Sequence, residues 1–305
     1  MSSAAVRVAL VIPVHNRREV TLQCLRSLER IDSQGLDVKI FVVDDGSTDG
    51  TSVAIRSRFP EVDIIAGDGT LHYAAGTNRG IEAAIKWPAN FVVMMNDDSV
   101  FHDQFLQRLV ATAMANPRSL VGALLLLWNE PHRVFQVAPK WRPLRGGWSM
   151  PEDLTAFSVE STSFGVDVIV GNCVLVPAEA IKECGMLDER RFPHGWGDAQ
   201  YTTRLRRAGW KLLIEPRAFV WCEPNEYPPS LHQMTLPRMF EVLFRDRTHP
   251  QNLQRQFIAL WESAPSKVQA ITAFIGYLLG LVVKSFTFGF RRLTGRNIAS
   301  DHVRQ

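Results

Sequence analysis

Cysteine and net charge are both scarce in this sequence, and each shortage excludes a class of protein. The 305 residues include four cysteines and no C-x-x-C pair, which argues against a disulfide framework or a zinc site and is typical of reduced thiols. The net charge of +3 is a small difference between 34 basic and 31 acidic residues. A balance this even predicts no nucleic-acid partner for the surface as a whole.

Hydrophobic segments that would direct the chain into or across a membrane are also missing. The start, "MSSAAVRVALVIPVHN", has a short apolar run broken by Pro13, with neither the cationic region nor the small-residue cleavage site of a signal peptide. A later apolar run, Ala270 to Val283, stops at Lys284, about six residues short of the ~20 that cross a bilayer. We therefore expect a cytoplasmic protein.

What the sequence does contain is an alternation of strand-length apolar runs and longer segments with helical periodicity. Continuous Val, Ile and Leu runs indicate strands covered on both faces, and helices between them indicate a mostly parallel sheet. These runs cover residues 8–14, 38–45, 62–67, 91–96 and 120–127. Residues 128–165, rich in Trp, Pro and Gly, predict irregular structure or short antiparallel strands over the site. The expected fold class is α/β, with one domain over residues 1–225 and a helical C-terminal extension over residues 226–305.

Polar segments follow each of the first four runs. They read "HNRRE", "DDGSTDGT", "GDGTLHYAAGTNRG" and "NDDS". Because parallel sheets bind ligands beyond the carboxyl ends of their strands, these segments are expected to meet at one edge and to form a site.

Asp97 and Asp98 follow the fourth run directly, and the burial of two adjacent carboxylates requires a partner charge. Side by side they repel each other, so one pKa rises unless a cation lies beside them. A divalent ion held by one or two carboxylates and by substrate phosphates meets this need. The alternative is an N-cap for a helical segment starting at Asp103, which needs only one acceptor and could use Ser99.

Asp44, Asp45 and Asp198 are the other acidic candidates. Asp44 and Asp45 end the second run, where a carboxylate can accept hydrogen bonds from a base or a ribose, and turn or capping roles are the alternative. Asp198 follows "HGWG" and stands at a predicted helix start beside Trp196. A carboxylate beside an aromatic ring can act as a general base with a raised pKa, and an ordinary N-cap is the alternative.

Five segments in order resemble a known enzyme family. "VALVIPVHNR", "VVDDGSTDGT", "GTNRGIEAA", "MMNDDSVF" and "GWGDAQYTTRLRRAGW" are similar to the successive motifs of family 2 inverting glycosyltransferases of the GT-A fold. The similarity covers about residues 6 to 222. "GDGTLHYAAGTNRGI" and the last segment resemble bacterial rhamnosyltransferase-like and galactofuranosyltransferase-like members, which build cell-surface polysaccharides.

The resemblance implies a role for each candidate residue. A nucleotide-sugar donor, expected to be a dTDP- or UDP-sugar, would contact Pro13, His15, Asn16, Asp44, Asp45, Gly67, Gly69, Asn78, Asn96 and Asp97. Of the two acidic residues after the second run, Asp45 is preferred for the nucleoside. Asp98 would ligate a divalent metal ion, Mg²⁺ or Mn²⁺. Asp198 would be the catalytic base, and Trp196 and His194 would contact the acceptor or stack on a sugar.

Two positions depart from the family pattern. Asn96 stands at the first position of the D-x-D motif, where it is a neutral ligand or none. Cys222 stands where many relatives carry a His. Three explanations stay open: Cys222 substitutes for that His, His194 compensates for it, or Asp98 and the donor alone hold the ion.

The C-terminal segment combines aromatic and basic residues. After Lys284 come Arg291, Arg292 and Arg296, with Phe residues among them and no carboxylate before Asp301. That mixture suits a segment on the surface of an anionic membrane. The alternative is a helix that packs on the catalytic domain or in a homodimer.

The sequence thus predicts an enzyme that moves one sugar from a nucleotide-sugar donor to a glycan, expected to be lipid-linked, at the cytoplasmic face of the membrane. The Q-x-x-R-W motif of processive synthases is absent from the sequence, which favours single addition. One alternative is a nucleotidyltransferase that makes nucleotide sugars, but "PVHNRRE" replaces the Gly-rich loop expected there. The other is a catalytically silent relative that binds nucleotide or acts as a scaffold, and Cys222 is the feature that supports it.

Overall fold

Strands and helices alternate through the part of the chain that the structure describes, which is residues 5–223, 231, 234–246 and 249–293. The structure is a computed structural model, and side chains are described as far as residue 283. The strands are β1 Val6–Val14, β2 Leu36–Asp44, β3 Asp63–Ala66, β4 Phe91–Met95, β5 Ser99–Phe101, β6 Ser119–Leu127, β7 Val134–Gln136, β8 Lys140–Arg142, β9 Gly147–Ser149, β10 Phe164–Gly165, β11 Cys173–Pro177 and β12 Lys211–Cys222. The helices are α1 Arg18–Leu28, α2 Thr51–Arg58, α3 His72–Lys86, α4 Phe105–Ala115, α5 Ala178–Cys184, α6 Gly197–Arg207, α7 Leu236–Phe244, α8 Leu253–Ser263 and α9 Lys267–Leu293.

The central sheet has the order β10-β12-β6-β11-β4-β1-β2-β3, with β5 added on β12 and β7 on β6. β1 is parallel to β2 and β4, β2 is parallel to β3, and β6 is parallel to β12. β11 is antiparallel to both β4 and β6, so β4 and β6 run in the same direction. The predicted α/β class with a mostly parallel sheet is confirmed. The carboxyl ends of β1 to β4 therefore lie along one edge.

Alternate residues of β1 enter two hydrophobic cores on opposite faces of the sheet. Val8, Leu10 and Ile12 pack with side chains of α1, α2 and α4. Ala9 and Val11 pack with side chains of α3, α5 and α6. Because side chains alternate along a strand, burial of both faces explains the continuous apolar run. The same burial sets the register of the strand ends that carry the polar segments.

Short antiparallel strands form between β6 and β11, as the sequence predicts. β7 pairs with β6, and β10 pairs with β12. An isolated antiparallel bridge joins Arg133 to Thr155. The expectation that this stretch covers the site stays a prediction.

Residues 141–149 group with the chain from residue 226 onward in a second compact unit, and the rest forms the first. Within the second unit the Trp148 indole N–H donates to the Ser263 hydroxyl at 3.0 Å. A Cβ on Gly147 would overlap the Leu260 side chain, so glycine permits close packing there. The predicted extension did not include residues 141–149, because local composition does not reveal packing against distant helices. The division into two functional domains stays a prediction.

The chain after β12 is helical, as predicted. Its described elements are α7, α8 and α9. Within the described residues, every helix is too short or too polar to cross a membrane. The basic residues Lys284, Arg291, Arg292 and Arg296 lie outside the described side chains.

Candidate active site

Hydrogen bonds join the loop after β1 to the loop after β2. The Asn16 side-chain oxygen accepts from the Thr48 N–H at 2.8 Å, and a ring nitrogen of His15 lies 2.5 Å from the Asp45 carbonyl oxygen. Asn16 has a φ of +51°, a left-handed conformation that asparagine tolerates better than most residues. Pro13, near the end of β1, is half-buried. The structure therefore brings these predicted donor-binding residues together where β1 and β2 end.

Asp44 turns its carboxylate toward the loop that follows its own strand. It accepts from the Ser47 N–H at 3.0 Å and from the Ser52 hydroxyl. These are the turn and capping contacts that the sequence left open as an alternative. Contact between Asp44 and a donor stays a prediction.

Asp45 holds the loop after β3. Its Oδ1 accepts from the Gly69 N–H at 2.8 Å and its Oδ2 from the Leu71 N–H at 2.9 Å and the His72 N–H at 3.2 Å. A Cβ on Gly67 would lie 2.7 Å from Asp45 Oδ1, so this approach requires glycine. A carboxylate has about four acceptor positions, which leaves Asp45 able to accept from a ligand as well.

Arg17 binds both carboxylates at the end of β4. Its Nη1 lies 2.9 Å from Asp97 Oδ1 and 3.3 Å from Asp98 Oδ2, and its Nη2 lies 3.4 Å from Asp98 Oδ2. Asp97 Oδ2 also accepts from the Thr21 hydroxyl at 3.1 Å. The side chains of Asp97 and Asp98 are 6% and 3% exposed, whereas Arg17 is 40% exposed. Here the protein itself supplies the partner charge that the sequence analysis assigned to a metal ion.

The pair still has an unsatisfied acceptor. Asp98 Oδ1 is buried, and it has no hydrogen-bond partner among the residues that the structure describes. Burial raises the pKa of Asp97 to about 6; Arg17 opposes the rise and Asp98 adds to it. A divalent cation fits, because it would satisfy Asp98 Oδ1 and the remaining negative charge. Over the described residues no cluster of three or more His, Cys, Asp or Glu forms a metal site, so further ligands would come from substrate or water.

The alternative of an N-cap role for this pair is wrong. Residues Ser99–Phe101 form β5, which pairs with β12, and α4 begins only at Phe105. The N-cap of that helix is Gln104. A strand therefore separates the two carboxylates from the helix start.

Asn172 is a buried polar residue of this strand edge that the sequence analysis did not identify. Its carbonyl accepts from the Asn96 N–H at 3.1 Å, beside the Cys173–Met95 pair of β11 and β4. Its buried side chain interacts with the Cys222 thiol: burial raises the pKa of that thiol, and a hydrogen bond from Asn172 opposes the rise. At the adjoining end of β4, the unpaired Asp98 carboxylate oxygen is the group that indicates a place for a polar ligand.

Cys222 is buried at the end of β12, with its Sγ 3.4 Å from the Ser99 hydroxyl oxygen. Burial raises the pKa of this thiol to about 12, which disfavours the thiolate that binds metals. The three explanations for the missing His stay predictions. His194 is exposed and remains a candidate. All four cysteines are free.

Asp198 lies in the first turn of α6, where backbone N–H groups hold its carboxylate. Oδ2 accepts from the Gly171 N–H at 2.7 Å, and Oδ1 accepts from the Ala199 N–H at 2.8 Å. A Cβ on Gly171 would lie 2.7 Å from Asp198 Cβ, so glycine is required for this packing. The N-cap is Trp196, so Asp198 does not have the ordinary capping role.

Burial raises the pKa of Asp198, and the hydrogen bonds from Gly171 and Ala199 oppose the rise only in part. The Tyr73 hydroxyl donates to the Gly171 carbonyl at 3.2 Å. Burial, Asp198 and Asp98 all raise the pKa of Tyr73, so both acidic centres lie within electrostatic reach of this side chain. A carboxylate with a raised pKa suits proton transfer near neutral pH.

The loop before α6 contains a strained residue. Trp196 has a φ of +59°, which is unfavourable for a bulky side chain and is typical of functional sites. The Ala74 N–H donates to the Pro193 carbonyl at 3.0 Å, which ties this loop to the start of α3. His194 is exposed and Trp196 is half-buried. Contact of either residue with an acceptor stays a prediction.

Asn78 is buried, and its amide group ties α3 to the chain that precedes α6. Its Nδ2 donates to the Leu187 carbonyl at 2.9 Å and to the Glu189 carboxylate at 2.7 Å. Its Oδ1 accepts from the Leu187 N–H at 3.0 Å. These contacts give Asn78 a structural role, and its contact with a donor stays a prediction.

Several residues of the site were not identified from the sequence. Arg17 is the residue immediately before α1, and Thr21 lies in the first turn of that helix. Their position after β1 places them near the site, but the sequence does not show that their side chains reach Asp97. Gly171 and Asn172 precede β11, and the sequence does not reveal that this strand inserts between β4 and β6.

Sequence relatives of this chain are found among glycosyltransferases. The N-acetylglucosaminyl-diphospho-decaprenol L-rhamnosyltransferase of Mycobacterium tuberculosis is 29% identical over 204 residues, which are 60% of this chain and 66% of that protein. Glycosyltransferase AglE of Haloferax volcanii is 29% identical over 125 residues, 40% of each protein. The match thus spans less than two thirds of the length of either relative.

Solved structures share the fold. The structure of GalNAc-T7 with UDP, GalNAc and Mn²⁺ has a TM-score of 0.60 at 13% identity, over 88% of this chain and 53% of that chain. The structure of S. aureus TarS 1-349 in complex with UDP has a TM-score of 0.54 at 11% identity, over 89% and 70% of the two chains. At these identities the likeness establishes the fold, which is the predicted GT-A fold.

A family comparison covers the same region of the chain. Glycosyltransferase like family 2 matches residues 5–240. That range contains Asp97, Asp98 and Asp198 with all of their described contacts. Because the match extends over well more than half of the sequence, the chain belongs to glycosyltransferase family 2.

Proposed function

We propose that the chain is an inverting glycosyltransferase that moves one sugar from a nucleotide-sugar donor to a glycan acceptor in surface polysaccharide synthesis. The observation that carries the proposal is the buried pair Asp97 and Asp98 at the end of β4, where Asp98 Oδ1 lacks a partner among the described residues. Asp198 adds a separate carboxylate whose pKa burial raises. One centre would bind the charged donor and the other would accept the proton.

The donor would bind along the loops that follow β1 to β4. Its candidate contacts are Pro13, His15, Asn16, Asp44, Asp45, Gly67, Gly69, Asn78, Asn96 and Asp97. Hydrogen bonds already join three of these loops, which lowers the entropy lost on binding. UDP is present in both solved neighbours, which supports a UDP- or dTDP-sugar as the donor.

A divalent cation, Mg²⁺ or Mn²⁺, would be held by Asp98, with Asp97 beside it and donor phosphates completing its ligands. Mn²⁺ accompanies UDP in one solved neighbour, which supports this assignment. When bound, the ion would supply positive charge that stabilises the leaving nucleoside diphosphate. Thr21 and Arg17 orient the Asp97 carboxylate.

Asp198 would act as the general base. An acceptor hydroxyl is too weak an acid to ionise at neutral pH, so its proton passes to Asp198 while its oxygen forms a bond to the anomeric carbon. The bond from that carbon to the diphosphate breaks, and the nucleoside diphosphate leaves with the electron pair. Attack on the face opposite the leaving group inverts the anomeric centre.

The acceptor would be a glycan, and we favour a lipid-linked one. The name of the mycobacterial relative contains N-acetylglucosaminyl-diphospho-decaprenol, which supports this choice. Trp196 and His194, in the loop that leads to Asp198, would contact the acceptor or stack on a sugar ring.

A lipid-linked acceptor also requires access to a membrane, and α9 has a face suited to one. Its exposed apolar residues are Val268, Ile271, Ile275, Leu279, Val282 and Val283. Their spacing places them on one side of the helix, opposite the buried Ala270 and Ala273. We infer a cytoplasmic protein bound peripherally to the inner face of the cell membrane through this face and the basic residues beyond it.

Sedimentation with anionic vesicles tests membrane binding. Ile275→Asp places a charge in the apolar face and is expected to release the protein from the vesicles. Gln269→Asp adds the same charge at an exposed polar position and serves as the control. Equal sedimentation of both variants and of the wild type would contradict membrane binding through α9, and a loss of dimer in Ile275→Asp would favour a homodimer interface instead.

A thermal-shift panel on the purified chain tests the proposed function. UDP, dTDP, GDP and CDP are each added with and without Mn²⁺ or Mg²⁺ to the wild type, to Asp98→Asn and to the exposed control Asp103→Asn. A ligand at about 100 times its Kd stabilises the folded state by roughly 2.7 kcal/mol, which is readily measured.

Metal-dependent stabilisation by one nucleotide, lost in Asp98→Asn and kept in Asp103→Asn, is the expected result. No shift with any nucleotide would contradict the donor site and favour the catalytically silent alternative. UTP and dTTP are added as a further arm of the panel, and stronger stabilisation by either triphosphate than by its diphosphate would favour the nucleotidyltransferase.

A further inference from the structure

Arg17 lies immediately before α1, and its guanidinium bridges the two buried carboxylates at the end of β4. The contact is uneven. The distance from Nη1 to Asp97 Oδ1 is 2.9 Å, whereas the two distances to Asp98 Oδ2 are 3.3 Å and 3.4 Å. Asp97 is therefore the firmly held partner and Asp98 the loosely held one.

The same contact leaves Asp98 able to accept a second cation. Its Oδ1 is buried with no hydrogen-bond partner among the described residues, while its Oδ2 faces Arg17. The Arg17 side chain is 40% exposed, so its stem can turn without opening the core. A guanidinium and a divalent ion repel each other, so each weakens the other's hold on Asp98.

We propose that Arg17 is a resident counterion that competes with a divalent cation for Asp98, so that the cation enters together with the donor diphosphate rather than alone. The inference rests on the proposed function, since it takes Asp98 as the metal ligand. It adds an order to binding, in which the ion alone is excluded until a diphosphate arrives.

The diphosphate provides the reason for the exchange. Guanidinium groups bind phosphate oxygens through charge-assisted, often bidentate hydrogen bonds. An arriving diphosphate offers Arg17 a second anion, and the guanidinium keeps its shorter contact to Asp97 while it leaves Asp98. Arg17 is thus a positioning residue that couples metal binding to donor binding, and the buried pair keeps a counter-cation both before and after the exchange.

Binding of Mn²⁺ alone tests the competition, measured as the loss of the free Mn²⁺ electron paramagnetic resonance signal. The wild type is compared with Arg17→Met and with Arg18→Met. Arg18 is the matched control, because it is the next residue and contacts Glu19 and Asp49 instead of the pair. Arg17→Met is expected to bind Mn²⁺ at least about tenfold more tightly than the wild type, the lower range of coupling for close charge pairs.

Three further measurements test whether the effect arises at Asp98. Adding Asp98→Asn to Arg17→Met is expected to remove the gain in Mn²⁺ affinity. Saturating UDP is expected to increase Mn²⁺ affinity more in the wild type than in Arg17→Met, because only the wild type has a counterion to displace. Mn²⁺ alone is also expected to raise the Tm of Arg17→Met more than that of the wild type or of Arg18→Met.

Equal Mn²⁺ affinity of the wild type and Arg17→Met would overturn the proposal, whether both bind the ion or neither does. Nucleotide binding by the wild type is scored separately in the thermal-shift panel. A wild type that binds nucleotide and metal, with no effect of Arg17→Met, would refute the counterion and leave the proposed function intact. Failure of every nucleotide to bind would refute the proposed function, whatever Mn²⁺ alone does.

Arg17→Lys guards against a variant that fails to fold. Lysine keeps the charge, but its single ammonium cannot hold two carboxylates in the manner of a planar guanidinium. We expect Mn²⁺ affinity between those of the wild type and Arg17→Met. Mn²⁺ affinity of Arg17→Lys equal to that of a folded Arg17→Met would contradict the competition, because the retained charge would then have no effect.

Discussion

The two acidic centres of the first unit contain the same residue type, buried at Asp97 and Asp98 and half-buried at Asp198, and their counter-charges differ. Asp97 and Asp98 share the full positive charge of the Arg17 guanidinium. Asp198 accepts from two backbone N–H groups, those of Gly171 and Ala199, which carry only partial charge.

The difference separates two kinds of chemistry. A carboxylate pair that already has one cationic partner favours positive charge at the same place, so it suits a ligand that brings a divalent cation. A buried carboxylate held by backbone dipoles gains most by binding a proton, because protonation removes the charge that burial disfavours. The first centre is therefore suited to the charged donor and the second to proton transfer.

The largest expected effect is that of Asp198→Asn, which removes the proton acceptor and keeps the size of the side chain. Loss of a general base lowers the rate by about 10²–10⁴-fold, and we expect transfer to fall by this amount while nucleotide-induced thermal shifts stay unchanged. Asp167→Asn is the control, since Asp167 is exposed and pairs with Arg206, which lies on α6 as Asp198 does. A loss of transfer below about tenfold, with the protein folded, would exclude Asp198 as the base.

The second prediction concerns the pH dependence of activity and of stability that Asp198 causes. Burial raises the pKa of Asp198, so the acid limb of kcat/KM should lie at higher pH than the ordinary range of an exposed aspartate. The folded state then binds more protons than the unfolded state between the two pKa values of Asp198, and its stability contribution is lost as pH rises through that window.

Denaturant titrations across pH measure this contribution. Asp198→Asn should lose less stability than the wild type as pH rises through the window, because the amide does not ionise. Identical pH dependence in the two proteins would show that Asp198 titrates as an exposed carboxylate does.

The third prediction concerns the contribution of the Arg17 charge to the free energy of unfolding. Arg17→Met removes a full counter-charge from two buried carboxylates and is expected to lower the free energy of unfolding by roughly 1–3 kcal/mol, a value reduced by the exposure of Arg17. Arg18→Met is expected to change it by about 0.5 kcal/mol or less, because exposed ion pairs contribute little. Urea denaturation without metal compares the two, and equal losses would refute the counterion role.

The backbone of this site could be predicted from sequence, but its counter-charges could not. Apolar runs that are buried on both faces gave the strands, and the polar segments after them gave the loops, so Asp97, Asp98 and Asp198 were located correctly at element ends. Arg17 was not identified, because which cation reaches a carboxylate depends on side-chain direction across two loops. Local sequence does not contain that information.

Gly171 and Asn78 are two further residues whose contacts could not be predicted from the sequence. Gly171 contacts Asp198 because β11 inserts antiparallel between β4 and β6, a pairing between segments far apart in the chain. Asn78 has a family motif around it, yet its amide is engaged with Leu187 and Glu189. Motifs thus identify the loops of a site more reliably than they assign the partner of each side chain.

The smallest expected effect is that of Tyr73→Phe, which tests whether burial or this hydroxyl sets the behaviour of Asp198. The Tyr73 hydroxyl donates to the Gly171 carbonyl and not to Asp198, so its loss should cost about 0.5–1.5 kcal/mol of stability and leave the acid limb of kcat/KM in place. Tyr201→Phe is the matched control, because the buried Tyr201 hydroxyl has no partner among the described residues and its removal should be neutral. An acid limb that moves in Tyr73→Phe alone would mean that Tyr73 acts on Asp198 directly, and the second centre would then owe its proton chemistry to a side chain as the first owes its charge balance to Arg17.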